Sequence, residues 1–320
     1  MNKALMILVN GEVLADRQDS TITSQRNNAT ILAEDLAPLL NGDLRVAILH
    51  GNKPQVGFVL HRSELASHAL HPVPLDVCGA DTQGATGYML AQAVRNVLAQ
   101  QRIERDVMSI ITQTVVDSND PNFNIPTKAI GPYFDRTTAE QYQTSRGWHM
   151  LLDPGRGYRR AVPAPAPLEV VEMAGIARLV AAGTIVIAGG GGGIPVIRTP
   201  DGRLQGVEAV VDTDQVGCMV AAGIGASAML FVIERDDKFA LSRLSTETGN
   251  HLTLAELERV LESESFMSNM VNAKLRAAAE FLNNGGEQVI ITTLRKLPSA
   301  LVDEAGLHIG AKGPLVEPVA

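Results

Sequence analysis

The chain has 320 residues and a formal net charge of −8, with 27 Lys and Arg against 35 Asp and Glu and no basic run, which argues against nucleic acid as a partner. Its 45% hydrophobic and 19% charged residues are the balance of a globular chain, and no apolar run reaches the ~18 residues of a membrane span, so no membrane partner is expected. The two cysteines, Cys78 and Cys218, have no metal-ligand spacing; in so long a chain they fit a reducing compartment, so the expected location is the cytoplasm and both thiols read as small buried apolar groups.

The order of elements is informative. Strands are expected at Ala4–Val9, Arg45–Leu49, Met108–Gln113, Thr184–Ala188, Met229–Ile233 and Gln288–Thr292. Helices are expected at Asn27–Leu40, Gln55–Ala69, Gln83–Ala99, Leu168–Ala182, Gln215–Gly223, Leu254–Leu261 and Val271–Asn283. Thr253 with Glu256 makes a capping box, and Gly183 is a helix stop. The strand runs lack clean alternation, so both of their faces are expected to be buried. Strands alternating with helices then predict a three-layer α/β/α sandwich around a mainly parallel sheet. One stretch breaks the rhythm. Residues 117–167, rich in Pro, Asp, Asn, Tyr and Arg, are too long for a connector and too polar for core. They are expected to form an inserted lid subdomain on an otherwise single domain spanning 1–320.

Three glycine-bearing loops follow strands: VNGE, with Gly11; HGNK, with His50, Gly51, Asn52 and Lys53; and the run Gly189, Gly190, Gly191, Gly192 and Gly193. Ligands of open α/β sheets sit beyond the carboxyl ends of the strands, where backbone N–H groups suit an anion. These residues are therefore candidate phosphate or substrate contacts, the alternative for the glycine run being a plain turn. Lys128, between Pro126 and Gly131, is a candidate phosphate contact. Arg156, Arg159 and Arg160 either orient an anion or brace the lid through carboxylates such as Asp117 and Asp120; bracing is expected for at least two. Asp212 and Asp214 stand just before a helix, where a carboxylate can hold a cation or merely cap. No Ser-His-Asp arrangement and no metal site can be read.

The stretches HGNKPQVG, ADTQGATGYMLAQA, TQTVVDSNDPNFNIPTKAIGPYF, GRGYRRAVPAPAP, VIAGGGGGIPVI and GVEAVVDTD together resemble the carbamate kinases of the amino acid kinase family. The resemblance runs in family order to about Asp214 and resumes near Lys274 and VIITT. It implies the three-layer fold, a protruding lid, a homodimer, and reversible phosphoryl transfer from ATP to carbamate, giving ADP and carbamoyl phosphate with Mg²⁺. It also implies catalytic roles for Lys128, Asp214 and Lys274, and a nucleotide side built from Asp212, Asp214 and Lys274; Lys53, which the family pattern lacks, is a further catalytic candidate of this chain.

The chain departs from the family pattern at several points. Val9-Asn10-Gly11 stands for the usual Gly-Gly-Asn, Lys53 for the last glycine of His-Gly-Asn-Gly, and Thr213 for the lysine of Asp-Lys-Asp. NMVNAK replaces a Gly-Ser-Met-x-Pro-Lys motif, and the adenine-side segment is not recognisable in FVIERDDKFALSRL. Phosphoryl transfer needs negative charge neutralised around the moving phosphorus. Two readings follow: a divergent kinase, or a kinase-impaired homologue that binds a small carbamoyl-type anion, turns it over by other chemistry, or serves as an assembly partner. In the first reading Lys53 points into the site and compensates for the charge missing at Thr213; the alternative is that it points to solvent and merely blocks the anion loop.

Overall fold

The computed structural model describes residues 3–15, 19–234, 250–262 and 269–316. Its centre is an eight-stranded sheet in the order His251–Leu252, Leu307–Gly310, Gln288–Thr293, Ala226–Ile233, Ala4–Val9, Arg45–His50, Ile185–Ile187 and Val107–Ser109. Neighbours run parallel except Gln288–Thr293 with Leu307–Gly310, which are antiparallel.

The absence of alternation in the strand sequences has a direct cause. Successive side chains of a strand point to opposite faces. Along Ala4–Val9, residues Ala4, Met6 and Leu8 enter one hydrophobic core, while Leu5, Ile7 and Val9 enter the other. The first core is closed by helices Met173–Ala181, Thr213–Gly223, Leu254–Glu262 and Asn269–Asn283, the second by Ile22–Leu40, Leu75–Gln101 and Leu297–Leu301. Both faces must therefore be apolar, and the three-layer α/β/α sandwich is the result. Cys78 and Cys218 are buried, as expected, and burial pushes their thiols up to about 11 and about 12.

Two expected elements differ. The strand Met108–Gln113 divides: Val107–Ser109 stays at the edge of the main sheet, and Gln113–Val116 joins a second, four-stranded sheet. The helix expected over Leu168–Ala182 begins only at Met173, because Pro167–Val170 pairs antiparallel with Gln113–Val116. The Glu172 carboxylate fixes that junction by accepting from Gln113 N at 2.7 Å and Gln113 Nε2 at 2.9 Å. Gly183, at φ +90°, follows that helix as expected. The Thr253–Glu256 capping box forms, Thr253 N donating to Glu256 Oε2 at 2.8 Å.

Within 117–167 lies a separate antiparallel sheet of three strands, Lys128–Phe134, Gly157–Val162 and His149–Asp153, with the helix Arg136–Arg146. Phe134, Tyr142 and Trp148 form its aromatic centre, with ring centroids 5.2 Å apart for the first pair and 4.8 Å for Tyr142–Trp148. It docks on the helices Lys53–Leu65 and Leu75–Gln101 through Ile130 and Val162, which pack with Val56, Leu60, Leu75 and Cys78. Arg160 Nη1 bonds Glu64 Oε1 at 2.9 Å. The arginines do brace, though through other partners than expected. Arg159 donates to Gly131 O at 3.1 Å and Arg156 lies 3.9 Å from Asp153, whereas Asp117 and Asp120 accept backbone N–H groups, Asp120 also that of Ala166 across the segment at 2.8 Å.

Candidate active site

The strands Ala4–Val9, Arg45–His50 and Ala226–Ile233 are parallel neighbours, so their carboxyl ends open on one edge. There a cavity of about 410 Å³ is lined by residues that include Asn10, Gly51, Lys53, Lys128, Asp212, Thr213, Asp214 and Lys274. Four separate parts of the chain supply its charges, and the fold brings them together.

Asp212 caps the helix Thr213–Gly223, its Oδ1 accepting from Asp214 N at 3.0 Å and Gln215 N at 3.4 Å. Its other oxygen, Oδ2, accepts from Lys128 Nζ at 2.8 Å. The carboxylate that caps the helix is thus Asp212 rather than Asp214, and it also holds a lysine delivered by the three-stranded sheet. Burial alone would raise the Asp212 carboxyl; the charge and hydrogen bond of Lys128, with Lys53 and the Asp214 amide, outweigh it and hold it below the usual carboxylate range. Asp214 faces Lys274, whose Nζ lies 3.3 and 3.2 Å from its two oxygens. Lys274 is buried, and its ammonium sits 5.7 Å from the centroid of the Phe231 ring, within cation–π range.

Lys53 opens the helix Lys53–Leu65, one residue before Pro54, as expected. It borders the cavity and is exposed to solvent. Crowding by the protein and the charges of Lys128 and Lys274 lower its pKa, against the opposing pull of Glu12 and Asp212.

The glycines behave differently. Gly11 and Gly51 bring the first two loops into contact: a Cβ on Gly51 would lie 2.6 Å from Gly11 N. The run Gly189–Gly193 packs behind the cavity rather than lining it, against His50, Asn52, Thr114 and Val211. A Cβ added to any of the five would meet the protein itself, so the run is closely packed. His50 is buried, its Nδ1 3.2 Å from Gly51 O, and burial pushes its pKa down to about 4. Asn52 turns away to donate to Thr82 Oγ1 at 2.8 Å, and its φ of −139° is not left-handed. Val9 packs in the second core and also lines the cavity. Thr127 and Phe231 also line the cavity; in sequence Phe231 reads only as a core aromatic in a strand. The adenine-side stretch FVIERDDKFALSRL lies largely outside the described residues.

The model of the Amino acid kinase family matches residues 11–293. The chain belongs to the amino acid kinase family. Within it, the chain is 39% identical over 315 residues to the carbamate kinase of Pyrococcus furiosus, covering 97% of this chain and 99% of that one. It is 38% identical over 314 residues to the carbamate kinase of Pyrococcus horikoshii, at the same coverage. It is 36% identical over 315 residues, again 97% and 99%, to the carbamate kinase-like protein YahI of Escherichia coli. Among solved amino acid kinase folds, carbamate kinase from Giardia lamblia bound to AMP-PNP superposes with a TM-score of 0.84 at 28% identity, covering 97% of this chain and 99% of that one.

Proposed function

We propose that this protein is a carbamate kinase-like phosphotransferase that moves a phosphoryl group reversibly between ATP and carbamate, giving ADP and carbamoyl phosphate. The observation that carries this reading is the convergence of Lys128 and Lys274 on one cavity, each held by its own carboxylate, in a chain 36–39% identical over nearly its whole length to carbamate kinases and a carbamate kinase-like protein.

Phosphoryl transfer demands positioning and charge neutralisation rather than a covalent partner on the protein. Lys128 and Lys274 stabilise the negative charge that builds on the transferring oxygens. Asp212 and Asp214 hold both ammonium groups in place before substrate arrives, so little reorganisation is needed at the moment of reaction. The segment 117–167 acts as a lid, carrying Lys128 over the cavity. The nucleotide phosphates lie on the side of Asp212, Asp214 and Lys274. Among the described residues no group of three His, Cys, Asp or Glu could hold a metal on its own. Asp212 and Asp214 already hold lysines, so these residues do not form a resident Mg²⁺ site. Mg²⁺ commonly relies on substrate phosphates for much of its coordination.

Titration calorimetry with Mg-ATP and with carbamoyl phosphate, followed by a coupled assay of ATP formation, tests the reading. Binding of both ligands and turnover support it. Binding of carbamoyl phosphate alone, without turnover, would favour the kinase-impaired homologue instead.

A further inference from the structure

We infer that Lys53 is the cation that engages the phosphoryl group of the substrate, a positioning and specificity residue distinct from the two clamped lysines. The inference rests on the phosphotransferase reading of the cavity above. Three ammonium groups, those of Lys53, Lys128 and Lys274, border the cavity with two carboxylates, Asp212 and Asp214. The pairing is specific: Lys128 lies 2.8 Å from Asp212, and Lys274 lies 3.2 Å from Asp214. Among the described residues no ion-pair partner stands against Lys53. The cavity therefore carries one uncommitted positive charge, and Lys53 holds it with its N–H donors free for a ligand.

The position is unfavourable without an anion. Lys53 is the first residue of a 13-residue helix, where the positive end of the dipole repels an ammonium. Two further lysines lie close enough to oppose its charge. The helix also lacks a side-chain cap: Asn52, its N-cap residue, spends its amide on Thr82. Its first amides and the Lys53 ammonium thus present positive potential at the same edge of the cavity. An anionic phosphoryl group brought there meets both, and its charge relieves the repulsion among the three lysines. Lys53 is exposed to solvent and borders the cavity, so a ligand can reach it.

Lys53→Met and Lys53→Arg separate this role from a structural one. Carbamoyl phosphate is the probe, read by calorimetry without nucleotide and by kcat/KM in the ATP-forming direction. Lys53→Met should lower affinity and kcat/KM roughly 10- to 100-fold, the range for losing a charge-assisted hydrogen bond. Lys53→Arg should retain most of both. The thermal midpoint of unliganded Lys53→Met should equal or exceed that of the unaltered protein, because a charge opposing the helix dipole has gone. Unchanged constants in Lys53→Met, beside a working unaltered protein, overturn the inference alone. A drop in midpoint that parallels the drop in affinity also overturns it, by showing a structural role. If the unaltered protein neither binds nor turns over carbamoyl phosphate, the phosphotransferase reading fails and the inference falls with it.

Discussion

Asp212 Oδ1 caps a helix while its Oδ2 accepts a 2.8 Å hydrogen bond from Lys128, 84 residues away in the chain. One side chain thereby couples the helix Thr213–Gly223 to the three-stranded sheet that carries the lysine. The two duties separate by substitution. Asn caps helices about as well as Asp but carries no charge for the lysine. Asp212→Asn should therefore keep the cap and lose only the stability of the Lys128 pair, while phosphoryl transfer falls by about two powers of ten, the usual scale for losing one electrostatic contact. Asp212→Ala should show the same kinetic loss plus about 1 kcal/mol of instability from the missing cap. Equal activity in Asp212→Asn and the unaltered protein would count against a preoriented Lys128.

His50 gives a pH-dependent prediction. It faces Gly51 O through Nδ1, so that nitrogen carries the proton of the neutral ring. Its folded pKa of about 4 lies below the ordinary 6.5. Between those values the unfolded chain takes up a proton that the folded one refuses. This contribution to stability is full above about pH 6.5 and declines as the pH falls toward 4, by at most ~1.4 kcal/mol per pH unit. NMR of the imidazole should show His50 neutral at about pH 5.5. A titration midpoint near 6.5 would remove the basis of the prediction.

The central strands were legible because burial on both faces leaves an uninterrupted apolar run, as in Ala4–Val9. Element starts were less so. The helix expected from Gln83 begins at Leu75, because Asp76, Gly79, Asp81 and Gly84 have the composition of a loop and packing overrides that preference. Leu168–Val170 falls within the expected helix because its strand partner, Gln113–Val116, lies far away in sequence. At the site, the residue types Lys53, Lys128, Asp212, Asp214 and Lys274 could be picked out singly. Their pairing could not, since Lys274 meets Asp214 across 60 residues and only the fold closes that distance. The close backbone approach of the glycine run was legible; that His50, Asn52, Thr114 and Val211 pack against it was not, since they come from distant parts of the chain.

That last point has a direct test. Gly193 has φ +85° and ψ 167°, a region essentially reserved for glycine, and Thr114 Oγ1 occupies the space a Cβ would need. Gly193→Ala should destabilise the unliganded protein by about 1–3 kcal/mol from backbone strain, with the Thr114 clash adding to it. Gly42→Ala, where nothing lies within 4 Å of the added Cβ, is the matched control. Denaturant unfolding reads both. A Gly193→Ala protein of normal stability that had lost only anion binding would return the run to the role of ligand cradle.

Association is the remaining expectation from the family resemblance, and the structure offers a face for it. On the helix Leu75–Gln101, Val77 and Tyr88 are 43% and 50% exposed; Met108 and Ile111, at and just beyond the sheet's edge strand, are 41% and 46% exposed. The helix meets that edge where Gly87 lies against Ser109, which places Tyr88 beside the Met108 strand. Apolar side chains gathered next to an open sheet edge mark a contact surface. We predict a twofold homodimer that covers this face and buries on the order of 1,600 Å² in total, the standard size of a stable interface. Tyr88→Glu places a charge at its centre and should shift the protein to monomer without altering its thermal unfolding by more than the loss of association itself. Light scattering at micromolar concentration decides the matter: a monomer in the unaltered protein, or a dimer that tolerates Tyr88→Glu, would show that association, if any, uses another surface.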